Sequence, residues 1–510
     1  MKCNLLPIRQ LHQCLKQKRA PSYCLISRSI VTIPSSHSRR PTPTTSPATP
    51  TPDPIRRKYY STPVSASNLL FGQPVHETHP HILAPGELTP GITAQEYHSR
   101  RAALLSSLPA NSAVILPSSS ILYRSGAVFH AFRQETNFLY LTGWSEPDSL
   151  AILRKTDDDY EFTLLCRPKN PKAELWGGPW SGLDAARDIF NADVVGDISS
   201  SRTLLAEALQ GVEHIYTDAE QTKYSQPTLF GSVLSSAAPS ITSYSPLKPH
   251  INALRAIKST AEIAAMRRAG QLSGRALTRA MSRSWSTEKE LAAFLEYTYQ
   301  TTGLDGSAYI PVVAGGSRGS LIHYVHNNAS LTPHNCETIL VDAGGEYGSY
   351  IADITRVWPL SGKFTPAQRD LYNAVLSVQR SVVSLCRASA NMTLDQLHGV
   401  TERGLRAQLA DLGFELGAGM MDALFPHHVG HYVGLDVHDV PGYPRNTVLK
   451  EGHCIAIEPG VYVPDDERFP EHFRGLAVRI EDSVCVGDDN PLILTTEAVK
   501  EVVDIEALRD

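Results

Sequence analysis

Apolar positions along this chain switch repeatedly between two spacings. Ser112-Ala113-Val114-Ile115-Leu116, Ala151-Ile152-Leu153 and Phe162-Thr163-Leu164-Leu165-Cys166 are short apolar runs that predict strands, and the stretch from Glu96 to Leu108 predicts a helix before them. Past Leu247 helical spacing takes over. Ser259-Thr260-Ala261-Glu262 is a capping box that opens a helix to about Ser282, and Thr287-Glu288-Lys289-Glu290 opens another that buries Leu291, Phe294, Leu295 and Thr298. Further helices are expected near 365–389 and 393–412, with strands between them to the C-terminus. The alternation predicts an α/β (α+β) fold. At 510 residues the chain is too long for one ordinary core, so two domains are expected, over 94–250 and 251–510. No tandem repeat of fixed period is visible.

The first 93 residues follow neither spacing. Residues 1–60 hold eleven Lys or Arg and one acid, Asp53, and Leu5, Ile8, Leu11 and Leu15 can share one helical face. This basic, Ser-rich amphipathic pattern is that of a mitochondrial presequence, followed from Thr32 to Pro54 by a Pro/Ser/Thr linker with little to bury. Arg56-Arg57-Lys58-Tyr59-Tyr60-Ser61 has the form of a processing junction. Residues 61–93, rich in Pro and carrying His76, His79 and His81, are expected to form an extended arm with no rigid face for a metal.

Removing the leader changes the charge picture. The net charge of -5 becomes -15 for residues 61–510, so the body has no claim on nucleic acid. Eight scattered cysteines without CxxC pairs suit buried thiols in a reducing compartment. No apolar run approaches the roughly 18 residues that would span a bilayer, so no transmembrane segment is expected.

Candidate chemistry concentrates between Asp342 and Glu481. Asp342 (Thr338-Ile339-Leu340-Val341-Asp342) and Asp353 (Tyr350-Ile351-Ala352-Asp353-Ile354) are expected on strands joined by the turn Gly344-Gly345-Glu346-Tyr347-Gly348. A turn centred between Tyr347 and Gly348 sets the two carboxylates opposite each other, about 4.5–5.5 Å apart at Cβ. Two carboxylates so close repel unless a cation lies between them. A pair of divalent metals about 3.5–4 Å apart relieves the repulsion and activates water. His431, Glu458 (Ile455-Ala456-Ile457-Glu458-Pro459-Gly460) and Glu481 (Val478-Arg479-Ile480-Glu481) supply the remaining ligands, and Arg479 shares the face of Glu481. Mostly oxygen ligands with one imidazole favour manganese, with cobalt or zinc as alternatives.

The order Asp, Asp, His, Glu, Glu, with His431-Tyr432-Val433-Gly434-Leu435-Asp436-Val437-His438-Asp439, resembles the pita-bread metallopeptidases, in their aminopeptidase P and prolidase branch. The resemblance implies a creatinase-like N-terminal α/β domain followed by a pita-bread catalytic domain. It implies that Asp342 binds one metal, that Asp353 and Glu481 bridge both, and that His431 and Glu458 bind the other. Glu458 doubles as general base, and His323, His427 and His438 contact substrate or stabilise the developing charge. Arg479 and Tyr462 orient the ligands.

The N-terminal half carries the likeness too. Phe132-Arg133-Gln134-Glu135-Thr136-Asn137-Phe138-Leu139-Tyr140-Leu141-Thr142-Gly143 is similar to the aminopeptidase P N-terminal domain, and the arm at 71–97 to the mitochondrial Xaa-Pro aminopeptidase 3 branch. In Glu174-Leu175-Trp176-Gly177-Gly178-Pro179-Trp180, Trp180 stands where the family pattern has Arg. The expected activity is a mitochondrial metalloaminopeptidase, of the matrix or the inner-membrane surface, that trims one residue from imported proteins after presequence cleavage. A general Xaa-Pro aminopeptidase on short peptides is the alternative enzyme. A metal-free binding module, the alternative of another class, would be expected to lack ligands, and all five are present. Relatives of this kind form homodimers or homotetramers, and the same is expected here.

Overall fold

The computed structural model describes residues 72–157, 159–218, 244–331 and 338–509. The basic leader expected over residues 1–60 lies outside the described residues.

The first half is built on a five-stranded sheet in the order Val194–Asp197, Tyr160–Cys166, Leu150–Lys155, Ser112–Pro117, His214–Tyr216. Its three central strands are antiparallel neighbours, and the two outer strands join parallel. Ala94–Ser106 forms the expected helix, with Thr93 accepting from the Glu96 N–H as its cap. Its buried face includes Arg100 and Arg101 as well as Tyr97, Leu104 and Leu105. Arg101 is tolerated inside because it donates to the Leu141 carbonyl at 2.9 Å and to the Tyr160 hydroxyl at 3.0 Å. Ahead of this helix, the arm includes a short hairpin, Glu87–Thr89 with Ile92–Thr93.

In the second half both capping boxes form, opening helices Thr260–Met281 and Glu288–Thr302. Leu291, Leu295, Thr298 and Tyr299 are buried, while Phe294 is only half-buried against Trp285. Helices Pro366–Ser384 and Leu394–Asp411 stand where helical spacing placed them. With these helices go four small antiparallel sheets: Gly306–Ser307 with Gly345–Tyr347 and Tyr350–Ile351; Val312–Gly315 with Thr338–Asp342 and Thr355–Pro359; Cys454–Ile457 with Asp482–Cys485 and Leu492–Ile493; and Gly460–Tyr462 with Ala477–Arg479.

One expectation of register is corrected. The hairpin forms, but Tyr347 pairs with Tyr350, so the turn is centred on Gly348 and Ser349, both at positive φ (58° and 68°) as a two-residue primed turn requires. Asp342 therefore faces Thr355 rather than Asp353, and Asp353 lies in the irregular link before strand Thr355–Pro359. The non-Gly residue in the left-handed region hid the true centre of the turn.

The two halves meet over a buried ionic cluster. The Arg255 guanidinium contacts Asp439, bonds Asp436 at 2.9 Å and reaches Asn137 of the first half at 2.6 Å. Lys258 bonds the other Asp439 oxygen at 2.8 Å. Every member has a partner, which is the condition for burying charge at tolerable cost.

Candidate metal centre and active site

Four backbone segments bring the five candidate ligands together. Ala456 N–H donates to His431 O and Glu458 N–H to Val429 O, both at 2.8 Å, which lays the His431 segment along the strand that leads to Glu458. On that strand's other side runs Asp482–Cys485, entered through Glu481. Ser483 Oγ accepts from Asp353 N–H and donates to Asp353 O, each at 3.0 Å, and Glu481 N–H donates to Thr355 O at 3.1 Å. The ligand segments are thus neighbours through their main chains.

Asp353, His431 and Glu481 offer ligand atoms within 4.8 Å of one another. His431 Nε2 lies 3.4 Å from Asp353 Oδ2 and 3.7 Å from Glu458 Oε1. Its Nδ1 is 3.1 Å from the Tyr432 carbonyl, which suits Nδ1–H as donor and leaves Nε2 facing the carboxylates. Asp342 joins through shared donors. The Tyr309 hydroxyl reaches Asp342 Oδ1 at 2.8 Å and Asp353 Oδ1 at 2.5 Å, and Arg479 bonds Asp342 Oδ2 at 2.6 Å.

Arg479, 1% exposed, ties the cluster to its supports. Besides Asp342 it donates to Thr355 Oγ1 at 3.0 Å and Tyr462 Oη at 2.9 Å. Thr355 in turn donates to Glu481 Oε2 at 2.6 Å. Tyr462 hydroxyl, accepting from Arg479, stands 2.8 Å from His427 Nε2, and His427 Nδ1 stands 2.8 Å from His428 O. His427 is fixed at both nitrogens as the neutral ring, and burial pulls its pKa down to about 4. His438 is exposed and meets the His431 ring edge-on at 4.4 Å. His323 is exposed on a turn, close enough for its charge to act on His438.

The electrostatics call for a cation. Burial pushes Glu481 well above the carboxylate range, and the charges of Asp353, Glu458 and Asp342 push it further. Burial likewise raises Glu458 to about 7 and raises Asp342 against the pull of Arg479. His431, half-buried, is raised to about 9 against the cost of that burial by its bond to Asp353 and the charge of Glu458. Glu481 Oε1 is buried without a hydrogen-bond partner, an orphan acceptor aimed into a crowd of acids. A divalent ion satisfies such a donor set.

Two supporting residues escaped the sequence reading. Thr355 was legible, since it lies two positions from Asp353 in a stretch whose sequence predicts a strand, where alternation gives both one face. Tyr309 carries no local signal; its role comes from a tertiary approach across 33 residues. At Trp180 the Arg167 guanidinium stacks on the ring at 4.2 Å, so a cation-aromatic contact occupies that place.

The comparisons agree with this architecture. Residues 264–488 match the model of metallopeptidase family M24, and residues 97–216 that of the aminopeptidase P N-terminal domain. The chain is 44% identical over 450 residues to intermediate cleaving peptidase 55 of Saccharomyces cerevisiae, covering 85% of this chain and 88% of that protein. It is 37% identical over 479 residues to Xaa-Pro aminopeptidase 3 of Homo sapiens, covering 89% and 94%. The crystal structure of Icp55 from Saccharomyces cerevisiae superposes with a TM-score of 0.78 at 42% identity, over 83% of this chain and 99% of that one. With these likenesses beside the site geometry, the chain belongs to metallopeptidase family M24 as a metalloaminopeptidase of the aminopeptidase P type.

Proposed function

We propose that the enzyme is mitochondrial and removes a single N-terminal residue from imported proteins once their presequence has been cut. The observation that carries this reading is the convergence of two Asp, two Glu and one His in a chain whose relatives include an intermediate cleaving peptidase. The basic leader supports a mitochondrial address, in the matrix or at its inner-membrane surface, and no described helix is long and apolar enough to cross a membrane.

In this reading Asp342, Asp353, His431, Glu458 and Glu481 would hold two divalent ions, Asp353 and Glu481 in the role of common ligands, and manganese is the expected metal. When bound, the ions supply Lewis acidity and a water of lowered pKa. Glu458 takes the proton of the attacking water. His427, held neutral between Tyr462 and His428, and His438, on the open side of His431, bind the scissile carbonyl or the next residue. His323 steadies the developing oxyanion or the leaving nitrogen. Arg479, Tyr462 and the newly found Tyr309 and Thr355 fix ligand orientation. The exposed apolar hairpin around Tyr123 and Phe129, with Leu175 and Trp176, supports a homodimer or homotetramer, which light scattering measures.

A general Xaa-Pro aminopeptidase is the second reading, favoured by the human relative's name. Metal-reconstituted enzyme separates the two when offered peptides that begin Tyr-Ser, Leu-Ala or Phe-Ser beside Arg-Pro and Met-Pro peptides. Processing activity predicts cleavage of the first set. Cleavage confined to the Pro set overturns the proposal.

A further inference from the structure

Strands Cys454–Ile457 and Asp482–Cys485 run antiparallel with Cys454 directly opposite Cys485. Next to them, Val486 N–H donates to His453 O at 2.8 Å in the same register. Antiparallel ladders alternate, so Cys454 and Cys485 occupy a non-hydrogen-bonded pair, where Cα atoms stand about 4.5 Å apart and side chains are closest. That spacing falls inside the roughly 4.4–6.8 Å that a disulfide spans. The Cys485 thiol donates to Val486 O at 3.7 Å. Both thiols are free and buried, at 0% and 3% exposure.

We propose that Cys454 and Cys485 are a thiol–disulfide pair, oxidised by a hydroperoxide, that tightens the two strands that Glu458 and Glu481 flank. Cys485, at 3% exposure against 0% for Cys454, is the more accessible of the two and so the attacking sulfur. Its thiolate attacks the peroxide and breaks the O–O bond. Cys485 is left as sulfenic acid, and the departing oxygen is protonated to water or an alcohol. The Cys454 sulfur then displaces the hydroxyl, so that S–S forms, S–O breaks and a second oxygen leaves as water. The sulfur pair loses two electrons to the peroxide, and the two thiol protons end on the departing oxygens.

Each cysteine is four residues from a candidate ligand, Glu458 one residue past the end of the first strand and Glu481 one residue before the start of the second. Bridging draws Cβ atoms from the ~4.5–5.5 Å of a strand pair to about 3.8 Å. A misplacement on the order of 1 Å at reacting groups costs about a hundredfold in rate. The consequence for turnover rests on the proposed ligand roles of Glu458 and Glu481; the cross-link itself does not.

The test treats full-length, metal-loaded enzyme with hydrogen peroxide, alkylates free thiols and maps peptides by mass. The expected result is a peptide pair joined through Cys454 and Cys485, with turnover falling by roughly tenfold to a hundredfold and recovering in dithiothreitol. Cys454→Ala and Cys485→Ala should each resist the peroxide loss, and either variant serves if the other does not fold. Absence of the joined peptides, a bridge without change in turnover, or equal peroxide loss in the variants overturns the proposal. Turnover of the reduced enzyme is read separately, so failure of the bridge and failure of the peptidase reading are distinguishable.

Discussion

Substituting Gly430 by Ala tests whether the main-chain contact behind His431 sets the metal site. A Cβ at Gly430 falls 1.8 Å from the Ala456 carbonyl oxygen, where real Cβ contacts do not come under 3.0 Å. Relief requires a displacement of at least 1.2 Å. Ala456 cannot supply it alone: its N–H bonds His431 O, the next-but-one N–H bonds Val429 O, and its strand pairs with Asp482–Cys485. The movement therefore passes into the segments that carry His431 and Glu458. His431 Nε2 now stands 3.4 Å from Asp353 and 3.7 Å from Glu458, so a shift of that size disorders the ligand set.

Overpacking costs about 1–3 kcal/mol of stability, and a misplacement near 1 Å costs about a hundredfold in rate. The expected variant folds, binds less metal and loses roughly two orders of magnitude in kcat/KM. Metal content by mass spectrometry, aminopeptidase kinetics and urea unfolding measure the three effects. Gly417→Ala, with nothing within 4 Å of its Cβ, is the control. A Gly430→Ala enzyme with wild-type metal content and turnover would refute the argument.

Asp353→Ala removes a carboxylate proposed to serve both ions and should abolish turnover and lower metal content; retained activity would mean that the site is misassigned. Tyr309→Phe deletes one hydroxyl that bonds both Asp342 and Asp353, so metal affinity or kcat should fall about 10–100-fold while urea stability stays near wild type. His453 tests pH linkage: burial, then the charges of Lys258 and Lys450, hold its pKa down to about 4 in the folded chain against about 6.5 unfolded. Its contribution is therefore full above pH 6.5 and is lost as pH falls toward 4, at up to about 1.4 kcal/mol per unit. His453→Asn keeps an acceptor for Lys450 N–H and does not titrate, so its urea midpoint should drop less than wild type between pH 7.5 and 5.5. An equal drop in both would exclude His453 as the source.

What was legible in the sequence is what local chemistry determines. A capping box needs only four adjacent residues, so Ser259 with Glu262 and Thr287 with Glu290 marked their helices without tertiary help. The face shared by Arg479 and Glu481 follows from strand alternation, and the same rule explains a pair of neighbours. Thr355 and Glu481 meet toward the ligands, while Arg356 and Asp482, one residue on, meet at 2.7 Å on the opposite side, where Gln379 and Lys500 complete the cluster. Register is more fragile, because a single residue in the left-handed region moves the whole pairing. Ser349 did so here, and nothing in its side chain announces it.

Close main-chain approach is the least legible of all. A Cβ at Gly344, between Asp342 and Asp353, would fall 1.8 Å from the Ala352 carbonyl oxygen, as close as one at Gly430 would come to that of Ala456. In the sequence Gly344 belongs to the predicted turn, and Gly430 stands between His428 and His431. In the fold each lets a ligand-bearing segment lie against a neighbouring chain with no room for a methyl group. The acids and the imidazole thus announce a metal site, but the distances among them depend on two absent side chains. Gly344→Ala should accordingly reproduce the metal loss of Gly430→Ala, through Asp342 and Asp353 instead of His431. If it leaves metal content intact, the close approach is incidental to the site rather than a condition of it.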